Sequence, residues 1–583
     1  MSVTSVAVGT RPARWRTGLG RLVAAAALLT AVALLPWLSG NDPALTVLRA
    51  RSADQDPTPA QLAAIREQLG LDQGPFTHLA HWLGGLLSGD AGTSWVSGEA
   101  VLPQVAAAFA VSLTLMLGAL VVTVVVAVLV SARAFWLCSR RSHRVGGASA
   151  AAVLAALPKF LLASLLATVC GVWLGWFPSS GWEGPRSMML PSLALGVPSG
   201  AMIGGLLSQA LPAAYNEPWA RTWRAYGLPA DRITRHALRR ASSGVLPQLL
   251  PTVVALVGGA VAVEKIFNIP GIGRLALDAA IAQDLPSLQT TTLVLVLLGI
   301  TAGLLIRVLR RALLGPALRD GALPALHVPT SRRGRADRWI VVVCAAALLA
   351  LVVAGLLRDP LQVDTAARLL PPSAAHPLGT DALGRDLLAR LGHGAVRTVG
   401  VALAVTAVCT VTGFLLGMAA HVGAGLTEAV STLPAVLAGL LVTAVTGPSA
   451  WGAALAVCLV GWTPYAAQAA ALLEQERASG HMLASLSFGA GPGYLLRHHL
   501  LPAALPGVLR NALLRLPTTV LVLASLGFLG LGEQPPTADW GRLLSENQPY
   551  GELAPWTVLA PAGALVLLSL LAVSGTAVSR RGS

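Results

Sequence analysis

Long apolar runs alternate with short polar or basic segments along all 583 residues, and the length of the runs decides the element type. Runs fall near 20–39, 105–131, 149–176, 187–212, 246–267 and 289–310, and again near 339–357, 396–422, 428–447, 450–473, 506–529 and 556–578. Each approaches or exceeds the ~20 residues a helix needs to cross ~30 Å of hydrocarbon. No stretch of ~10 residues that alternates apolar and polar positions recurs, which excludes membrane-spanning strands. The pattern predicts an all-α integral membrane protein of about twelve transmembrane helices in two groups of six.

The two groups have the same anatomy. Residues 1–315 and 339–583 each open with one helix and a polar segment (41–104 and 358–395). Four more crossings follow, with a long polar loop between the fourth and fifth helices (213–245 and 474–502), and a sixth helix closes each half. Residues 316–338, rich in Pro, Gly and Arg, read as a linker. At the start, basic "RPARWRTGLGR" precedes "LVAAAALLTAVALLPWL". That run is longer than an ordinary signal-peptide core and no small-x-small site follows it, so an uncleaved first helix is expected.

Composition agrees with the pattern. The chain is 55% hydrophobic and 11% charged, with a mean hydropathy of +0.68, where a soluble protein carries roughly a quarter charged residues. The net charge of +15 would point to nucleic acid in a soluble domain; here it follows from topology. With the N-terminus cytoplasmic, inside segments hold 26 arginines and outside segments 10, the asymmetry expected when both termini are cytoplasmic. Nucleic acid is therefore not an expected partner. The five cysteines, Cys138, Cys170, Cys344, Cys409 and Cys458, show no metal-ligand spacing and read as small packing residues.

Inside the long loops one frame repeats. Gly227 is followed eight residues on by Arg235-His236, and Gly489 eight residues on by Arg497-His498. A helical stretch precedes each glycine, the glycine permits a turn, and a second short helix carrying Arg-His leads back to the membrane. Such segments serve either as interfacial helices whose arginines meet the phosphates of membrane lipids or as docking elements. Their recurrence at equivalent places favours docking.

Several longer blocks carry a resemblance. "TPAQLAAIREQLGLDQGPFTHLAHWLGGLLSGDAGTSWVSGEAV" and "VEKIFNIPGIGRLALDAAIAQDLP" in the first half, and "HPLGTDALGRDLLARL" and "ASLGFLGLGEQPPTADWGRLLSE" in the second, resemble the first and second permease subunits of binding-protein-dependent ABC transporters of the dipeptide, oligopeptide and nickel group. The resemblance implies a type I ABC importer-like fold with the two subunits fused. It also implies a bacterial plasma-membrane location, a substrate-binding protein outside and two ABC ATPase subunits inside. The loops become the family's Glu-Ala-Ala coupling segments, with Arg221, Arg224, Gly227, Arg235, His236, Gly489, Arg497 and His498 as ATPase-coupling residues. At that motif the chain reads "RTWRAYG" and "LASLSFG", without the glutamate. Because Arg221, Arg224, Arg232, Arg239 and Arg240 have no counterparts in the second loop, two non-identical ATPases are expected.

Catalytic chemistry is not expected in this chain. Its two lysines, Lys159 in "LPKFL" and Lys265 in "VEKIF", end no phosphate-cradling loop, so ATP and Mg²⁺ belong to the partner subunits. No HExxH, GxSxG or clustered ligand pattern stands out, and His376 and His393 alone do not argue for a metal. Ionisable residues inside spans default to functional candidates, which makes Lys159, Glu264 and Lys265 possible translocation-pathway residues. For Glu264-Lys265 the alternative is an interfacial pair, and for Lys159 a kink beside Pro158. The block "HPLGTDALGRDLLARL" predicts a turn at Gly379, an N-cap at Thr380 or Asp381, and a helix with Leu383, Leu387, Leu388 and Leu391 on one face. A twelve-span ion-coupled secondary transporter is the rival reading, but it demands carboxylates at the bilayer midplane. The solute stays open among dipeptides, oligopeptides, nickel complexes, opines and metallophores.

Overall fold

A computed structural model describes residues 58–68, 74–139, 148–314, 335–419 and 434–579, with isolated positions between them. The expected first span at 20–39 and most of the linker lie outside the described residues. The first half contains α1 (Pro59–Gln68), α2 (Pro75–Leu87), α3 (Val101–Ser139), α4 (Ala148–Ala156), α5 (Lys159–Trp173), α6 (Pro185–Tyr215), α7 (Pro218–Ala225), α8 (Ala230–Ile266), α9 (Ile272–Ile281) and α10 (Leu285–Leu314). The second contains α11 (Arg335–Leu356), α12 (Leu387–Met418), α13 (Ala435–Thr446), α14 (Ala450–Arg477), α15 (Gly480–Ser487), α16 (Pro492–Leu529), α17 (Trp540–Asn547) and α18 (Pro555–Ser579). Eight of these are long and apolar enough to cross a membrane, and α5 and α13 are shorter apolar helices. Together with the apolar C-terminal half of α8, they account for eleven of the twelve expected spans.

Proline shapes the third span of each half. Pro158, extended at φ −61° and ψ 138°, separates α4 from α5, and Pro434, at φ −63° and ψ 138°, starts α13. A proline thus stands in extended conformation immediately before each of α5 and α13, where its ring is tolerated at a helix start.

Within each half the second and fourth spans approach through small residues. In the first half Gly196, Gly200 and Gly204 of α6 lie against the backbone of α3, where added Cβ atoms would meet Ala119 O, Thr123 O and Ala127 O at 2.7, 2.6 and 2.8 Å. In the second half Gly413 and Gly417 of α12 meet Trp462 O and Ala466 O of α14 at 2.6 and 2.8 Å. Small residues four apart let backbones close where lipid supplies no hydrophobic drive. The two halves use the same contact but place the glycines on opposite partners.

The two halves share one hydrophobic core. α9 and α8 of the first half pack on α13, while α4 and α5 pack on α18. Cys138 and Cys409 are buried among apolar side chains, in keeping with a packing role.

Two local expectations need correction. The Arg-His segments are not separate short helices: Arg235-His236 lie in the first turns of the 37-residue α8, and Arg497-His498 lie in a π turn, Leu496–Leu500, within α16. An unbroken helix keeps every interior backbone group bonded as the chain leaves water for lipid. The N-cap of α12 is Asp386, whose carboxylate accepts from Ala389 N at 3.0 Å. Asp381 instead accepts from Arg385 Nε at 2.8 Å and Arg390 Nη1 at 2.7 Å in a buried cluster completed by Glu546. The two guanidiniums hold Asp381 Oδ2, while its Oδ1 accepts from Leu383 N and Arg385 N, both at 2.9 Å, in the turn ahead of the helix, which begins only at Leu387. Leu387, Leu388 and Leu391 are buried as expected, whereas Leu383 is exposed.

Candidate functional site

The loops between the fourth and fifth spans have a common build. In the first, α7 ends at Ala225 and Gly227 turns the chain at φ +75°; in the second, α15 ends at Ser487 and Gly489 turns it at φ +83°. A side chain at either position would be strained, because its Cβ would crowd the backbone in the left-handed region. An aromatic residue precedes each glycine and projects into solvent: Tyr226 is 80% exposed and Phe488 90%. The sequence reading missed this pair, although aromatic-Gly at both tips was the available signal.

The first loop is braced from below. Ile233, Ala237 and Ala241 of α8 are buried with Ala220 of α7 against Leu211, Ala214 and Tyr215 of α6. Glu217, just ahead of α7, accepts from Trp219 Nε1 at 2.7 Å and pairs with Arg240 at 3.1 Å. Of the expected coupling residues, Arg221 Nε donates to Asn216 O at 3.1 Å, and Arg224 lies over the Tyr215 ring at 4.9 Å. His236 packs edge-on against Trp223, with ring centroids 4.9 Å apart. Arg235 is solvent-facing and pairs loosely with Asp231 at 3.4 Å. Thus Arg221 and Arg224 hold the loop in shape and Arg235 points outward.

In the second loop, Ser479 caps α15 by accepting from Met482 N. Arg497 is exposed, and His498 stacks on Tyr494 with ring centroids 4.3 Å apart. The shared Gly-x7-Arg-His frame therefore places one exposed arginine beside each glycine turn, whereas the two histidines have different neighbours.

The opposite ends of the fifth spans, here the far face, carry the remaining candidates. Glu264 is wholly buried; its carboxylate accepts from Ser112 Oγ of α3 at 2.6 Å and from Arg274 N, in the first turn of α9, at 2.9 Å. A Cβ on Gly271 would strike this carboxylate. The second half repeats the arrangement: Asp539 accepts from Thr398 Oγ1 of α12 at 2.8 Å and from the first-turn amides of α17, Gly541 N at 3.1 Å and Arg542 N at 3.2 Å. In both, a buried carboxylate meets a helix N-terminus, where the macrodipole favours negative charge, and a hydroxyl of the second span braces it.

Lys265 points elsewhere. Its Nζ crosses to the other half and donates to Leu529 O at 2.8 Å, at the C-terminal end of α16. Glu264 and Lys265 therefore do not pair with each other, as the interfacial reading expected; one staples its own half and the other ties the halves together. Further ties lie along the same seam: Gln283 Nε2 donates to Ala444 O at 3.1 Å, and Phe160 of α5 meets Phe528 of α16 with ring centroids 5.5 Å apart. The Lys159 stem lies against α8, where a Cβ on Gly259 would meet its Cδ at 2.5 Å.

A duplicated helical membrane bundle with a matching solvent-facing loop in each half, and a polar staple at the other end of each, defines a membrane permease with internal two-fold organisation. The family described as the binding-protein-dependent transport system inner membrane component matches residues 149–318 and 395–581, together more than half of the chain. The chain belongs to this family and holds two copies of its domain. It is similar to a probable D,D-dipeptide transport system permease protein of Escherichia coli, 35% identical over 219 residues that cover 36% of this chain and 73% of the relative. A glutathione transport system permease protein of Salmonella choleraesuis is 32% identical over 259 residues, covering 44% and 84%. A dipeptide transport system permease protein of Alkalihalophilus pseudofirmus is 30% identical over 240 residues, covering 40% and 79%. Each match takes most of the relative but under half of this chain, as two permeases fused in one chain require. The protein is a multi-pass permease component of an ABC importer, a class that works with ATPase subunits and a substrate-binding protein.

Proposed function

We propose that this chain supplies the whole transmembrane pathway of an importer for peptides or a related small solute, with one ATPase docked at each glycine-turn loop. The relatives are permeases of dipeptide and glutathione systems by name, which supports a peptide-like solute. The carrying observation is the duplicated tip: Tyr226-Gly227 and Phe488-Gly489 present an exposed aromatic at equivalent places in the two halves. A large apolar side chain held in water gains free energy by entering a cleft on a partner. Arg235 and Arg497 beside these tips meet acidic or backbone-carbonyl groups on the ATPases. The loop face and both termini are cytoplasmic, and ATP with Mg²⁺ binds on the partners.

Alternating access follows from the seam. In this conformation Lys265, Gln283 and the Phe160–Phe528 contact join the halves at the far face, while α7 packs on α6 and α8 and α15 on α14, within their own halves. This arrangement corresponds to an inward-facing state. ATP-driven approach of the two ATPases draws the loops together, and the far-face seam must break to open the pathway outward. Differences between the loops, Glu217–Arg240 in the first and a histidine cluster in the second, favour two unlike ATPases. The test is co-purification with candidate ATPase subunits: Tyr226→Ala and Phe488→Ala should each weaken association by more than about tenfold. Uptake that resists vanadate and is abolished by an ionophore would overturn the reading.

A further inference from the structure

We propose that the second-half loop carries a binding site for a divalent transition-metal ion of the Zn²⁺ type, formed by Glu476, His481 and His499. The three residues come from three successive elements: the end of α14, the start of α15 and the first turns of α16. One ligand atom from each lies within 4.8 Å of the other two. Glu476 Oε1 is 2.5 Å from His481 Nε2, and the His481 and His499 rings are 5.4 Å apart, centroid to centroid. With ligand bonds of about 2.0–2.2 Å, a tetrahedral ion holds its donor atoms roughly 3.4 Å apart. The present donor separations, from 2.5 Å for Glu476–His481 up to at most 4.8 Å, bracket that spacing.

Three features prepare the cluster. His499 sits in the π turn Leu496–Leu500, and such turns re-aim side chains and recur at functional sites. A hydroxyl stands beside one imidazole: Ser485 Oγ is 3.0 Å from His499 Nε2, which leaves the other nitrogen of that ring for an ion. A partner of this kind orients a ligating imidazole. Access is open on one side, since the His481 side chain is 62% exposed while that of Glu476 is 14% exposed. Two imidazoles and one carboxylate suit Zn²⁺, Ni²⁺ or Cu²⁺, whereas Mg²⁺ and Ca²⁺ prefer oxygen ligands alone. Three protein ligands leave the fourth position to water.

Comparison of the halves says what the ion would do. In the first loop the pair Glu217–Arg240 ties the start of α7 to α8 at 3.1 Å. Counted from the glycine turns, Ser479 and Pro502 stand where Glu217 and Arg240 do, so the second loop lacks that ion pair and a cation bound by Glu476, His481 and His499 would supply a brace in its stead. Metal occupancy would then clamp α15 between α14 and α16, on both sides of the Gly489 turn. Binding itself is independent of the docking role given to this loop and can be measured without any ATPase.

The experiment uses the full chain in lipid nanodiscs, titrated with Zn²⁺ by calorimetry and with Co²⁺ by visible absorption. One ion should bind per chain, and Zn²⁺ should slow amide hydrogen exchange across residues 480–487. The variant His481→Asn/His499→Asn, and separately Glu476→Gln, should weaken binding by more than about tenfold and remove the protection, while His376→Asn should behave as wild type. Monodisperse elution checks the fold of each, and Glu476→Gln decides the matter if the double variant fails to assemble. Zn²⁺ binding that is undetectable in wild type, or that is equal in wild type and the decisive variant, would overturn the site, leaving an ordinary His481–Glu476 ion pair. Equal loss in His376→Asn would place the ion elsewhere.

Discussion

Lys265 shows how the place of one charge decides its meaning. A lysine near the end of an apolar run reads as a pathway residue or an interfacial cation, yet its ammonium sits 2.8 Å from Leu529 O, where the carbonyls ending α16 offer partial negative charge. A hydrogen bond to a charged group contributes about 1.5–3 kcal/mol, so Lys265→Met should favour separation of the halves at the far face by roughly tenfold or more. A cysteine placed at Ala444 along the same seam should then react correspondingly faster with an impermeant maleimide; an unchanged rate would remove Lys265 from the closure. Asp386 offers a pH-dependent test. Burial alone would raise its carboxyl, but Ala389 N, His376 and Arg358, the last at 2.7 Å, outweigh that and hold it below the usual 3.8. Because the native carboxyl is the stronger acid, its contribution is complete above the ordinary aspartate range and is lost as pH falls through the lowered native value. The melting temperature of wild type should therefore fall more steeply below about pH 4 than that of Asp386→Asn.

At the scale of elements, the glycine turns are the sharpest prediction. Gly227 and Gly489 have positive φ and open space around a would-be Cβ, so a β-branched residue costs about 1–2 kcal/mol through the backbone alone. Gly227→Val or Gly489→Val should leave the protein in the membrane but re-aim Tyr226 or Phe488, so that reconstituted transporter hydrolyses ATP with uptake reduced severalfold. Full uptake by both variants would detach the turns from coupling. The buried N-termini of α9 and α17 behave differently. Gly541 stands with no room for a Cβ against Ala524 O, and overpacking of this kind costs typically 1–3 kcal/mol. Gly541→Ala should lower the melting temperature by several degrees without touching the loops.

At the scale of the whole molecule, the apolar runs mark the eleven described spans, and the repeated Gly-x7-Arg-His frame marks both loops in the sequence alone. Run length and spacing are one-dimensional quantities, and lipid makes them decisive because a spanning helix must satisfy its own backbone. Helix ends were less legible. Asp381 has the chemistry of an N-cap and uses it on Leu383 N and Arg385 N, but the chain turns at Gly384, φ +74°, before the helix begins behind Asp386. Glu264 and Lys265 are adjacent in sequence, yet their side chains leave the helix toward different halves of the protein.

What the sequence by itself determined is the inventory: an all-helical membrane protein, duplicated, with a glycine turn and an arginine at the same register in each copy. Only the tertiary structure decided which carboxylate caps which helix, which lysine closes the seam, and that Glu476, His481 and His499 share one corner of the second loop. The physical reason is that periodicity records the solvent each residue faces, whereas pairing between distant polar groups depends on how packed helices aim their side chains, and glycine contacts and prolyl breaks set that aim across the bundle.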